Sequence, residues 1–268
     1  MFSNAIDEIA KFTRPILFVE RLNSDKLIPG SATLFFINED GYALTCKHVV
    51  ANIINVASNS NKAIFKFDGC YKKINNITAI VHPKYDLAII KFEGVEPLYQ
   101  NYAYLKKDST IKPGKFLVRS GYAFPEFDNY KIDIQSNKLI FTSNGNQNTP
   151  LFSNEGMVTR LVGDSNIIKG IELSTPGIKG TSGGPLYDEN GVVYGVQSIS
   201  KHFHLGFDII DQNTLINGEY KSISNYPFIN LGECISINII KDFLNENNIK
   251  YYEKLEDNNL LIFLYYIH

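Results

Sequence analysis

Residues 177–185, GIKGTSGGP, place four glycines and a proline around one serine, Ser182. Glycine fits where a backbone turns sharply or where a ligand comes close, so Ser182 is held where it can react. A serine hydroxyl is a weak nucleophile at neutral pH unless a neighbouring base takes its proton. The usual base is a histidine, whose ring needs a carboxylate to fix its tautomer and to stabilise the imidazolium. Of the five histidines, His82 precedes Pro83 and resembles a turn residue. His202 and His204 lie in a polar, irregular stretch, and His268 is the last residue. His48 differs, because it follows the strand-like YALTC and opens the short apolar HVVANII. Among the carboxylates, Asp86 opens an apolar strand in HPKYDLAIIKF, and a charge at the edge of a buried strand is costly unless paired. A histidine N–H would pair it. Each residue also has a plainer reading alone: a strand-end histidine, a turn aspartate, a glycine turn. Their order and local settings together match one constellation for proton transfer and nucleophilic attack.

The elements that must position these residues are strands. TLFFINEDGYALTCKHVV has an apolar run, an Asp40-Gly41 turn and a second apolar run, which predicts a β-hairpin. PLYDENGVVYGVQS repeats the design with Asn190-Gly191 at the turn. AIFKFDG, ITAIVHP, DLAIIKF, KFLVRSGYAF and GIELST read as short strands between polar or glycine-containing breaks, a pattern of barrels or sandwiches. Helical spacing is confined to the ends. Residues 3–12 form one candidate, and SINIIKDFLNENN another, with Ile237, Ile240, Phe243 and Leu244 on one face and Ser236 as the cap. The polar stretch 106–114 is the nearest thing to a boundary.

Composition narrows the class. A chain of 268 residues, 44% of them hydrophobic, suits one large or two small globular domains. A net charge of −2 does not mark a general nucleic-acid binder. No run approaches the ~20 apolar residues that span a bilayer, and the N-terminus lacks the pattern of a secretory signal. Cys46, Cys70 and Cys234 lie far apart without metal-like spacing. They read as reduced, packed thiols, so a cytoplasmic protein without metal or cofactor, membrane or nucleic-acid partner is expected.

ALTCKHVV resembles the histidine motif of trypsin-like serine proteases, particularly the bacterial HtrA/Deg branch, where DGY-x-LT-x-x-HVV is typical. HPKYDLAIIKF resembles the aspartate motif, GTSGGPLYDENGVVYGVQS the serine motif, and LGECISINIIKDFL the closing strand and C-terminal helix. The likeness runs from about Ile16 to Leu244. It implies an all-β chymotrypsin-like fold of two antiparallel six-stranded barrels with short terminal helices. Expected boundaries are a helical segment at 1–13, barrels at 14–110 and 111–235, and a helix with an apolar tail at 236–268. It also implies an endopeptidase acting on protein or peptide through His48, Asp86 and Ser182. The N–H groups of Gly180 and Ser182 would form the oxyanion hole. Ser198 would steady Asp86, with Ile199 and Ser200 continuing as the strand on which substrate backbone pairs.

The chain departs from the family in places. Thr181 stands where the pancreatic enzymes carry the aspartate that pairs with a new N-terminus, and no paired cysteines are evident. Only about twenty residues follow the helix, so no PDZ domain is expected. The pocket floor is expected at Pro176, six residues before Ser182, with Gly232 on the wall and an apolar preference at the cut. Residues 201–230 form an insertion expected to border that pocket, through Asp208, Asp211 or Glu219. Leu260–Ile267 is a strand-length apolar tail that would dock on its own molecule or a neighbour. An inactive fold serving as a protein-binding module, and a latent enzyme awaiting a regulatory partner, are the alternatives.

Overall fold

The computed structural model describes residues 2–23, 26–51, 62–66, 72–73, 77–92, 101–108, 110–123, 130–133, 138–141, 151–164, 167–203, 211–224 and 229–254. Cys70, His204, Asp208, His268 and the tail at 260–267 lie outside the described residues. The chain is mostly β and has the trypsin-like fold.

Helix α1 (Ser3–Phe12) buries Ala5, Ile9 and Phe12, and ends where the Thr13 hydroxyl donates to the Ile9 carbonyl at 2.8 Å. The first sheet contains β1 (Thr13–Asn23), β2 (Lys26–Phe36), β3 (Tyr42–Thr45), β4 (Lys62–Lys66), β5 (Lys72–Lys73), β6 (Ile77–Val81) and β7 (Ala88–Phe92). Their order is β5-β4-β1-β2-β3-β7-β6. That is six strands plus the two-residue β5.

The second sheet draws on β8 (Tyr104–Lys106) and β9 (Phe116–Gly121); among the described residues, β10 (Tyr130–Asp133) and β11 (Lys138–Phe141) pair only with each other. It continues through β12 (Phe152–Asp164), β13 (Ile167–Leu173), β14 (Pro185–Tyr187) and β15 (Val192–Phe203). The exposed hairpin of β16 (Gln212–Ile216) and β17 (Glu219–Ile223) precedes β18 (Ile229–Ser236). In the order β14-β9-β12-β13-β18-β15, with β15 pairing back onto β14, six strands close into a ring. β8 lies within the 14–110 stretch, yet it runs parallel to β15 and belongs to this second sheet. β19 (Tyr252–Lys254) extends it beyond β8.

Two hairpins explain why the chain turns where it does. Asn38 Oδ1 accepts the N–H groups of Asp40 and Tyr42, and Gly41 follows at φ 83° before β3 pairs with β2. Asp188 Oδ1 accepts from Asn190 and Val192, and Gly191 has φ 72° before β15 pairs with β14. Side chains of this type mimic a backbone turn, and glycine takes the left-handed residue without strain. Helix α2 (Ile237–Glu246) begins at Ser236, whose Oγ accepts the Asn238 N–H. Its buried face is Ile237, Ile239, Ile240, Phe243 and Leu244.

The larger apolar cluster crosses from one sheet to the other. It joins Ile9 and Phe12 of α1 and Leu34, Leu44 and Ile89 of the first sheet with Val118, Tyr187 and Val196 of the second. A smaller cluster, including Leu117, Ile171, Leu186 and Tyr194, fills the second ring. Packing of one sheet on the other fixes the seam where β3, the start of β7 and the 178–184 loop meet.

Candidate active site

His48 sits in a helical turn at 47–51, directly after β3. Asp86 lies two residues before β7, the strand paired with β3. Pairing β3 with β7 therefore brings the two together. Asp86 Oδ1 accepts the backbone N–H of His48 at 2.9 Å, and Oδ2 lies 2.8 Å from the ring Nδ1. With Asp86 ionised, Nδ1 carries the proton and Nε2 is left as a proton acceptor. Burial pushes the Asp86 carboxyl up, but the His48 ring, the Ser198 hydroxyl and the His48 N–H together hold it below the ordinary value. The Ser198 hydroxyl donates to Oδ2 at 2.6 Å from across the seam. The His48 side chain remains half exposed, at 48%.

The Ser182 loop is clamped by the first sheet through Thr33. The Thr33 N–H donates to the Ser182 carbonyl at 2.9 Å, and its hydroxyl donates to the Gly180 carbonyl at 2.8 Å. Residues 178–181 have the features of a type II turn: the Thr181 N–H donates to Ile178 O at 3.0 Å, and Gly180 has φ 96°. The N–H groups then alternate. Those of Thr181, Gly183 and Gly184 have backbone partners, whereas those of Gly180 and Ser182 have none among the described residues. Unpartnered N–H groups are rare in folded proteins away from water, and Gly180 is buried. These two donors lie on either side of Thr181.

Gly183 brings this loop against the histidine segment. Its φ is 87°, and a Cβ there would lie 2.1 Å from Thr33 O and 2.3 Å from Thr45 Oγ1. Its N–H donates to the Gln197 carbonyl, which also accepts from the Cys46 thiol at 3.1 Å. Thr45 and Cys46 lead directly into the turn that carries His48.

Ile199 and Ser200 follow Ser198 on β15, paired with Glu233 and Gly232 of β18. Beyond Gln197, the other edge of β15 has no strand partner among the described residues. Such an edge can accept an extended peptide. Ile199 is 47% exposed there. Pro176 is exposed, and its carbonyl accepts from Arg119 Nη2 at 2.9 Å. Gly232 lies against the same guanidinium, since a Cβ there would be 1.7 Å from Arg119 Nη1.

Candidate ligand atoms of Cys46, His48 and Asp86 fall within 4.8 Å of one another. All three donors are engaged by protein groups. Burial, then the Asp86 charge, pushes the Cys46 thiol far up, so it stays protonated. The cluster is a hydrogen-bonded support for the imidazole rather than a cation cradle.

A model of the trypsin-like peptidase domain matches residues 31–196. The chain belongs to the trypsin-like peptidase family. One solved structure similar to this chain is the HtrA-type protease AlgW with a tripeptide, at 14% identity and a TM-score of 0.55. The match covers 92% of this chain and 63% of the other, so this chain spans less than two thirds of that protein's length. At that identity the likeness carries the fold alone. No curated protein matches the sequence significantly.

Two residues at the candidate site are not marked out by the sequence reading. Thr33 holds the nucleophile loop from 147 residues away, and nothing in SATLFF signals it. Arg119 did leave a signal, as a lone charge inside the apolar KFLVRSGYAF. In the described part of the insertion, Asp211 and Ser224 bond to each other at the base of the β16–β17 hairpin.

Proposed function

We propose that this chain is a serine endopeptidase in which Ser182 is the nucleophile, His48 the general base and acid, and Asp86 the group that orients His48. Ser182 Oγ bonds to the substrate carbonyl carbon while His48 Nε2 takes its proton. The displaced electron pair gathers on the carbonyl oxygen, facing the N–H groups of Gly180 and Ser182. Donors of this kind contribute about 3–4 kcal/mol each to the transition state. Collapse breaks the C–N bond, and His48 gives its proton to the leaving amine. Water then repeats the sequence on the acyl-enzyme, restoring Ser182. Ser198 keeps Asp86 aligned, and Ile199–Ser200 would pair with substrate backbone.

The observation that carries this reading is the pair of N–H groups on either side of Thr181 that have no partner among the described residues, in a loop tied through Gly183 to the Gln197 carbonyl that also accepts from Cys46, two residues before His48. The buried free thiols of Cys46 and Cys234 fit a reducing, cytoplasmic setting. Incubating an unfolded protein substrate with the parent and with Ser182→Ala tests the reading. The parent should produce new N-termini and the variant none. Equal cleavage by both would overturn the assignment of Ser182. No cleavage by either, with peptide still bound, would make the fold a binding module.

A further inference from the structure

We infer that Arg119 forms the base of the slot for the side chain preceding the cut, and that this side chain is acidic. The inference rests on the peptidase reading above and names its substrate class.

Arg119 is only 3% exposed on β9. Nη1 donates to Gln197 Oε1 at 2.7 Å, and Nη2 donates to Thr175 O, Thr175 Oγ1 and Pro176 O at 2.9, 2.6 and 2.9 Å. Every one of these acceptors is uncharged. Nε has no partner, and no carboxylate pairs with Arg119 among the described residues. Burial also pulls its pKa down. A guanidinium kept from water without a counter-charge is costly, and a substrate carboxylate would supply that counter-charge. Two acidic residues of the same sheet are already paired elsewhere: Glu172 with Arg160 at 2.6 Å, and Glu233 with Lys201.

Position gives the charge its role. Thr175–Pro176 leads into the Ser182 loop, and Gln197 immediately precedes Ser198. The guanidinium therefore ties together the two segments that run on either side of the reacting serine. Gly232 supplies the third side, because any Cβ would occupy the space of Nη1. Nearer the surface, a Cβ at Gly177 would lie 2.3 Å from Ser200 Oγ and 2.7 Å from Gln197 Nε2. The approach to the guanidinium between Gly177 and Ser200 is thus narrow, and a hydroxyl and an amide border it. A carboxylate gains charge-assisted bonds from such a set. A lysine or arginine meets a like charge, and an apolar side chain leaves the cation unanswered. This replaces the apolar preference expected from Pro176.

The test uses short peptides identical except for the residue before the cut, which is Glu, Asp, Leu, Ala or Lys. Binding to Ser182→Ala isolates the slot from the chemistry. Glu or Asp peptides should bind at least about tenfold more tightly than Leu, as one charge-assisted bond implies, and Arg119→Gln on that background should erase the difference. On the background carrying Arg119, the preference should also fade as pH drops through the Glu side-chain value of about 4.3. This arm holds even if Arg119→Gln does not fold. Equal or tighter binding of Leu or Ala, no binding of any peptide, or a preference that ignores pH overturns the acidic slot. Hydrolysis of the same peptides by the parent answers separately for the peptidase reading. Acid-selective binding without hydrolysis would remove the reaction and leave the slot.

Discussion

Gln197 and Ser198 are neighbours on β15, and each steadies a charge that arrives from elsewhere in the chain, Arg119 from β9 and Asp86 from just before β7. They do so in opposite circumstances. Ser198 donates to Asp86, whose oxygens also take the His48 N–H and ring nitrogen. That negative charge is answered within the chain, by an imidazole able to turn positive when it takes a proton. Gln197 accepts from Arg119, whose positive charge meets only neutral oxygens. A charge completed internally serves the reaction cycle. A charge left incomplete is placed to be answered from outside, and so serves selection.

The largest effect should come from breaking the completed side. Asp86→Asn keeps the shape but loses control of the His48 tautomer, and kcat should fall about 10⁴-fold. Measured turnover of Asp86→Asn, His48→Ala and their double variant should show far less than additive losses, because the residues act as one unit. Next comes the loop between the two sides. Gly183→Ala forces a side chain into a φ of 87° and onto Thr33 O, so urea unfolding should show a loss of about 3 kcal/mol.

Smaller effects sharpen the comparison. Ser198→Ala removes one bond to Asp86 and should lower kcat/KM about tenfold for all peptides alike. Arg119→Gln should lower it by a similar factor for acidic peptides only. Uniform against selective loss is the difference to be read from the same peptide set. Stability against pH separates them too. The Asp86 carboxyl is held below its unfolded value, so its contribution is present above about pH 4 and disappears as pH falls through the lower folded value. Asp86→Asn should flatten that part of the acid-unfolding curve, and Arg119→Gln should not. Least affected is the far end, where Ser236→Ala removes the α2 cap for about 1 kcal/mol. It should lower the thermal midpoint without changing peptide preference.

Legibility in the sequence followed the range of the physics. The two hairpins are readable from Asp40-Gly41 and Asn190-Gly191 because these turns are local, and the Asn38 and Asp188 side chains that close them act on residues two to four positions away. The α2 start was readable for the same reason, from Ser236 and the apolar spacing after it. His48 and Asp86 could be singled out because each is odd for its setting, a ring after a strand and a charge before one. Arg119 breaks the same rule within KFLVRSGYAF. Its acceptors lie 56 to 78 residues downstream, however, and no local spacing points to them. Thr33 carries no oddity, since a threonine in a strand is ordinary. Its role depends entirely on the approach of the second sheet.

The most direct measurement is the mass of the intact protein after exposure to a fluorophosphonate, followed by mapping of the modified peptide. A single adduct on Ser182, absent from Ser182→Ala and much slower to form in His48→Ala, is the expected result. An unmodified protein, or an adduct on a different residue with Ser182 intact, would contradict the proposed nucleophile and the proton path built on it.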